Sequence, residues 1–187
     1  TVDNYINKSS EARRLLGYIP ELPALYPNLT VNEHLEFLAR AYKLENYSDK
    51  ITNLLDKFEL SDKRKKFGDE LNLCLGLLPD PEIVLMDEPM IGLDPHAIKE
   101  LKNLIEEMRA AGKSLLVSTH IIDSVDMLWD RALIMKKASI IADVNHQSLA
   151  ESGETLEDAF IKTQTVAQWR KKTITIGKRP CVFLILA

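Results

Sequence analysis

The chain has 187 residues, 45% of them hydrophobic, and a net charge of −4. That length suits one domain with a real core, and the acidic balance argues against a nucleic-acid binder driven by phosphate neutralisation. Two cysteines, Cys74 and Cys181, give neither a metal spacing nor a disulfide framework, no signal peptide is visible at the start, and no apolar run reaches the roughly 18 residues that span a bilayer; a reducing cytosol fits.

Arg13 to Ile19 reads as a short strand leading into a proline-flanked loop at Glu21, between Pro20 and Pro23. Thr30-Val31-Asn32-Glu33 is a capping box, which starts a helix through Leu44. Leu35, Leu38, Ala39 and Tyr42 form its apolar face. A second helix covers Asp49 to Phe58, with Ile51, Leu54, Leu55 and Phe58 inward. Arg64-Lys65-Lys66 reads as a solvated basic face. Cys74 lies among leucines and reads as a small core residue.

Ile83-Val84-Leu85-Met86 is an unbroken apolar run. It reads as a strand buried on both faces, as in a parallel sheet. Asp87 and Glu88 follow at its carboxyl end, where open α/β sheets bind ligands. Two adjacent acids buried there need a cation or strong donors. The simplest chemistry that fits is one acid for a Mg²⁺ shell and one to orient or deprotonate a water. The plainer alternative is that both merely end a strand before the turn at Pro89.

Asp94 then caps a helix and Pro95 takes its first position. Ile98, Leu101, Ile105 and Met108 share one face, and Gly112 ends it. Leu115-Leu116-Val117 is a second apolar strand, closed by Ser118-Thr119-His120. Strand, helix, strand is a βαβ unit with an expected right-handed crossover. Asp87, Glu88 and His120 are then expected at one edge. Further on, Ile121 to Leu128 reads as a helix, and Arg131 to Lys136 and Ser139 to Ala142 as a hairpin at the sheet edge. Val182 to Leu186 is apolar but too short to span a membrane, so Thr165 to Ala187 reads as a frayed or packed tail. His34, His96 and His146 have no motif around them and read as solvated or locally bonded.

Asp87-Glu88-Pro89, Gly92-Leu93-Asp94-Pro95 and Ser118-Thr119-His120 at this spacing resemble the ATP-binding-cassette (ABC) ATPase family. Ile83 to Glu88 looks like its Walker B strand, Gly92-Leu93-Asp94 like its D-loop, and His120 like its switch histidine. Gly17-Tyr18-Ile19-Pro20-Glu21, followed by Leu25-Tyr26-Pro27-Asn28-Leu29-Thr30-Val31, resembles the Q-loop and the start of the helical subdomain. The wording is closest to the bacterial drug- and antibiotic-export branch, where Glu commonly stands in place of Gln. The likeness covers Glu11 to Ile161.

The resemblance implies an α/β fold of the P-loop NTPase (RecA-like) type: a parallel-sheet core with an inserted helical subdomain, its amino-terminal part missing. Residues 1–164 would be a partial ABC ATPase domain, with 21–79 the helical subdomain and 80–145 the catalytic core, and 165–187 a tail of unknown role. Asp87 would hold Mg²⁺ through water, Glu88 would act as general base on the attacking water, and His120 would contact the γ-phosphate. Glu21 would couple the nucleotide site to a membrane partner, and Asp94 would lie at a dimer interface. The implied cofactors are ATP and Mg²⁺. The implied partners are a membrane permease subunit and a second cassette, with no nucleic acid. The implied place is cytoplasmic, on the inner face of the cell membrane.

Two parts of the family pattern do not occur in the chain. One is the G-x-x-x-x-G-K-[ST] phosphate loop; the other is a glycine-rich signature segment, whose place falls near Arg64 to Phe67. The expectation is an exporter's ATP-hydrolysing subunit with these segments missing from the chain. The alternative is a degenerate cassette that acts as a binding or regulatory module. A non-transport ABC ATPase in repair or translation fits less well with the Tyr26-Pro27-Asn28-Leu29-Thr30 wording and the acidic charge.

Overall fold

A computed structural model of the chain describes residues 9–22, 25–60, 69–122, 128–165 and 181–186. The backbone forms two compact units, Thr1–Leu104 and Ile105–Ala187. The first contains α1 (Ser10–Leu15), β1 (Leu16–Ile19), α2 (Val31–Ala41), α3 (Tyr47–Lys57), α4 (Asp69–Leu77) and β2 (Ile83–Asp87). α1 takes the first half of the segment expected to be strand. Ser9 caps it by accepting the Ala12 N–H, and its Glu, Ala, Arg and Leu residues favour helix, so extension begins only at Leu16.

β1 and β2 run parallel, from Leu16 opposite Ile83 to Ile19 opposite Met86. Parallel neighbours need a long connection, and α2, α3 and α4 form it. β1 meets α4 very closely: a Cβ on Gly76 would lie 2.3 Å from Ile19 Cγ1, and one on Gly17 would lie 2.7 Å from the Gly76 carbonyl oxygen. Only glycine permits that approach. α2 opens with the expected capping box at Thr30. It ends before Leu44, because the chain turns left-handed at Lys43 (φ 55°) and the Leu44 N–H returns to the Ala39 carbonyl. α3 starts slightly earlier than Asp49 and buries Ile51 and Leu55, with Phe58 buried just beyond its end. In β2, Val84 and Met86 are buried while Ile83 and Leu85 are half-buried. The expected burial on both faces is therefore complete on one face only.

α5 (Pro95–Ala110) runs from the first unit into the second. Asp94 caps it, its Oδ1 accepting the Ala97 N–H at 2.8 Å. Ala97, Leu101, Ile105 and Met108 are buried, and Ile98 is half-buried. The Gly112 and Lys113 N–H groups close its end on the Arg109 and Met108 carbonyls.

The second unit contains β3 (Ser114–Thr119), β4 (Arg131–Lys136), β5 (Ser139–Asn145), α6 (His146–Ser152), α7 (Leu156–Thr165) and β6 (Cys181–Leu186). β4 and β5 form the expected antiparallel hairpin, with β5 extended to Asn145. The Arg131 guanidinium grips both Asp143 carboxylate oxygens across it, at 2.8 Å each. β6 lies between β3 and β4 and runs parallel to both, Cys181 opposite Leu115 and Val182 opposite Arg131. The apolar run near the chain end is thus packed, as a central strand of its unit. Cys181, Val182, Phe183 and Ile185 are all buried, which is the pattern of a strand covered on both faces.

Asp130 ties this unit together. Its N–H donates to the Cys181 carbonyl, its carboxylate accepts the Cys181 N–H at 2.8 Å and the Arg109 guanidinium, and its carbonyl accepts the His146 N–H. Among the described residues the fold is mixed α/β with six strands, and within the two units every described strand pairing is parallel except the β4–β5 hairpin. Among the described residues no helix is long and apolar enough to cross a membrane. Most of the Ile121–Leu128 segment, the Arg64-Lys65-Lys66 cluster and Arg170 to Arg179 lie outside the described residues.

Candidate functional site

Asp87 is the last residue of β2 and is half-buried. Glu88 follows with 7% exposure and a left-handed backbone, φ 47°. For a residue with a Cβ that conformation costs about 1–2 kcal/mol. Strain of this kind, held in place by surrounding structure, gathers at functional sites. The Ile91 N–H closes the turn onto the Glu88 carbonyl at 3.2 Å, and Gly92 (φ 79°) completes the reversal in a conformation that favours glycine. This tight path carries the chain from Asp87 to Asp94, which the α5 cap then fixes. A buried carboxylate is costly unless bonded. Among the described residues every buried side-chain nitrogen and oxygen has a partner, so Glu88 is held rather than stranded.

Glu21 belongs to the same end of the first unit. β1 and β2 are parallel and in register at Ile19 and Met86, so Pro20-Glu21 and Asp87-Glu88 leave the strand pair at one edge. Glu21 is exposed. The residue before it is anchored: the buried Asn72 amide of α4 donates to the Pro20 carbonyl. Sequence reasoning passed over Asn72. Its signal is a single amide within an otherwise apolar stretch, Leu71-Asn72-Leu73-Cys74-Leu75.

His120 is exposed at the carboxyl end of β3, in the second unit. Thr119 before it is 4% exposed. Its hydroxyl accepts the Ile121 N–H at 3.1 Å, a side-chain turn that shapes the backbone around His120. Thr119 is the other residue that the motif reading left without a role. Asp87, Glu88, Asp94 and Glu21 are therefore gathered in the first unit, and His120 stands at the corresponding end of a strand in the second.

No group of three or more His, Cys, Asp or Glu side chains that could hold a metal ion occurs among the described residues. Mg²⁺ keeps several waters and takes one or two carboxylates plus the oxygens of a bound phosphate. Asp87 and Glu88, hard oxygen donors at a strand end, fit such an ion.

A second feature of the first unit is a cavity of about 390 Å³ between β1, α2 and α4. Tyr18, Tyr26 and Phe37 stand on its rim and are 53%, 56% and 55% exposed. Tyr26 meets Phe37 edge-on, with centroids 5.8 Å apart.

No family model matches the chain. It is 34% identical over 164 residues to the ABC-type transporter ATP-binding protein EcsA of Bacillus subtilis, covering 80% of this chain and 66% of EcsA. A solved structure of an ATP-binding subunit of an ABC transporter superposes with a TM-score of 0.78 at 28% identity, covering 87% of this chain and 75% of that one. The chain belongs to the ATP-binding cassette family of ABC transporters. This cassette is also 31% identical over 181 residues to the probable multidrug ABC transporter ATP-binding protein YbhF of Escherichia coli, covering 88% of the cassette and 31% of YbhF. It spans about two thirds of EcsA and under a third of YbhF. The expected α/β class agrees with the structural match.

Proposed function

We propose that this cassette supplies ATP-binding and ATP-hydrolysing machinery to an ABC-type exporter and couples hydrolysis to transport across the membrane. The observation that carries the reading is the Asp87-Glu88 pair at the end of β2, with Glu88 buried in a left-handed turn. Such a pair can divide the labour of phosphoryl transfer, which needs positioning and charge neutralisation more than covalent chemistry.

Asp87 would hold Mg²⁺, and the chemistry such an ion supplies is charge neutralisation at the terminal phosphates of ATP. Glu88 accepts the proton of the attacking water, and burial favours that role because it keeps competing solvent off the carboxylate. His120 donates to the γ-phosphate, with Thr119 keeping its turn in shape. Asp94, at the start of α5, contributes to a contact with a second cassette of the same or a related kind. Glu21 relays the state of the site to a membrane permease subunit, and the aromatic rim at Tyr18, Tyr26 and Phe37 offers that permease an apolar docking face. The working place would be the cytoplasmic face of the cell membrane. YbhF is named a probable multidrug ABC transporter ATP-binding protein, and that name supports a transport role.

The test is a substitution that separates binding from turnover. With a phosphate loop and a signature segment supplied, the cassette is expected to bind MgATP. Glu88→Gln is then expected to keep it bound while phosphate release falls by about 10²-fold or more. Unchanged turnover in that variant removes the general-base role. Failure of the completed wild-type cassette to bind MgATP supports the degenerate, non-catalytic reading instead.

A further inference from the structure

Among the described residues, the cavity between β1, α2 and α4 is lined mainly by aromatic and aliphatic side chains, and one cation, Arg13 of α1, stands among them. No Asp or Glu of the described residues lines it. Arg13 is exposed, and among the described residues no carboxylate or carbonyl takes up its guanidinium. The one acid of α1, Glu11, is attracted by the neighbouring Arg14 instead. The cavity therefore sets an aromatic wall beside an unpaired positive charge. Its rim is built in advance. His34 of α2 is 4% exposed, and its Nε2 accepts the Tyr26 N–H at 2.9 Å while Nδ1 lies 2.9 Å from the Thr30 carbonyl oxygen. The Tyr26 ring stacks against the imidazole, with centroids 6.0 Å apart, and the Tyr26 carbonyl accepts the Leu29 N–H at 3.1 Å. Tyr26 is thus fixed to α2 by backbone and ring alike, so a partner that meets it loses little entropy in ordering it.

We infer that the occupant of this cavity is a permease segment that brings a large apolar side chain to the aromatic wall and an Asp or Glu to Arg13. The inference rests on the docking reading of the rim and adds the chemistry of the match, which is charge complementarity at Arg13. The cavity, at about 390 Å³, lies near the lower bound of ligand-sized pockets, about 300 Å³, and that size suits one or two side chains. Large exposed rings in contact with each other, as Tyr26 and Phe37 are, mark a surface made for a partner. A guanidinium is a planar fork of donors with no acceptor, and it matches a carboxylate with two parallel bonds. While the cavity is empty that cation stays in water at little cost. Once a partner covers the wall, water is excluded and the ion pair strengthens. A segment carrying Lys or Arg at this point would set like charges together, so Arg13 selects against it. An anionic bilayer is a poorer match: it recruits clusters of about 4–8 basic residues, whereas Arg13 is a single cation in a concave site on a chain of net charge −4.

A library of random dodecapeptides, selected on the whole chain, is the test. The wild type is expected to enrich peptides that combine a large apolar residue with an Asp or Glu. Arg13→Glu is expected to enrich Lys and Arg in place of the acid. Arg13 is exposed, so its substitutions leave the core untouched. One enriched peptide is then labelled and titrated by fluorescence anisotropy, with its acid and with Gln in the acid's place. The acid form is expected to bind the wild type about fivefold more tightly, the upper range for a partly exposed ion pair. Arg13→Gln is expected to bring the two forms to one affinity, and Phe37→Ala to weaken both. Enriched peptides that lack acids overturn the inference and leave the docking reading standing. An acid preference that survives in Arg13→Gln overturns it too, because the carboxylate then sits elsewhere, and so does binding that Phe37→Ala leaves unchanged. Absence of any enriched peptide removes the docking reading and the inference with it. Co-sedimentation of the chain with phosphatidylserine vesicles that is lost in Arg13→Gln assigns the cation to a membrane and overturns the inference as well.

Discussion

Thr30 and Thr155 begin two helices with the same pair of bonds. Glu33 accepts the Thr30 N–H and hydroxyl, and Asp158 accepts the Thr155 N–H and hydroxyl. The backbone bond first and the hydroxyl second hold both carboxyls below the ordinary carboxylate range. A lowered folded value means that the native state prefers the carboxylate. The stabilisation is therefore present above the unfolded range, about pH 4, and is lost as pH falls through the lowered folded value. Glu33→Gln is accordingly expected to be less stable than the wild type at neutral pH and to close the gap below about pH 4, as read by urea midpoints at the two conditions. Thr30→Ala is expected to cost about 1 kcal/mol at neutral pH. These caps were legible because donor and acceptor lie within one turn of each other. Asn72 and His34 were not. The partner of Asn72, at Pro20, lies half a domain away in sequence, and the role of His34 depends on where the Tyr26 loop is laid.

At the scale of elements, the contact between β1 and α4 sets how Glu21 and Asp87 leave the strand pair. Gly17 and Gly76 let the two backbones approach until only hydrogens fit between them. Gly76→Ala would press its Cβ onto Ile19 Cγ1, an atom near the backbone that cannot swing away. Overpacking of this kind is expected to cost about 1–3 kcal/mol, measured as a lower urea midpoint. An unchanged midpoint would mean that α4 can slide along β1. Periodicity revealed α2, α3 and α5 because each has an apolar stripe at helical spacing. It misread Arg13 to Leu15, where the cap at Ser9 and the helix-favouring residues outweigh the strand that follows.

For the molecule as a whole, the strand at Cys181–Leu186 matters most. It is buried between β3 and β4, and its first residue is held by Asp130 at both N–H and carbonyl. Burial, with the Asp130 carboxylate adding to it, pushes the Cys181 thiol up to about 12. The unfolded chain ionises its thiol at about 8.5. Between those values the unfolded state sheds a proton that the folded state keeps, so stability falls as pH rises through that window. Cys181→Ala is expected to flatten this alkaline loss in urea unfolding. Rapid alkylation of Cys181 in the native chain at about pH 8.5, mapped by mass spectrometry, would show that β6 is not seated in its slot.

By itself the sequence determined what short-range chemistry can specify. The helix caps, the acid pair closing an apolar run, the glycine-led turn to Asp94 and the Ser-Thr-His triplet all rest on neighbours within a few residues, and together they were enough to point to the family. Tertiary structure alone decided that Val182 to Leu186 is a central strand, that Glu88 sits buried in a left-handed turn, and that Asn72 and His34 anchor loops. Each of those outcomes depends on a partner that only folding brings near: a short apolar run carries no label for its neighbour in a sheet, and a lone polar side chain carries none for the carbonyl or amide it will meet.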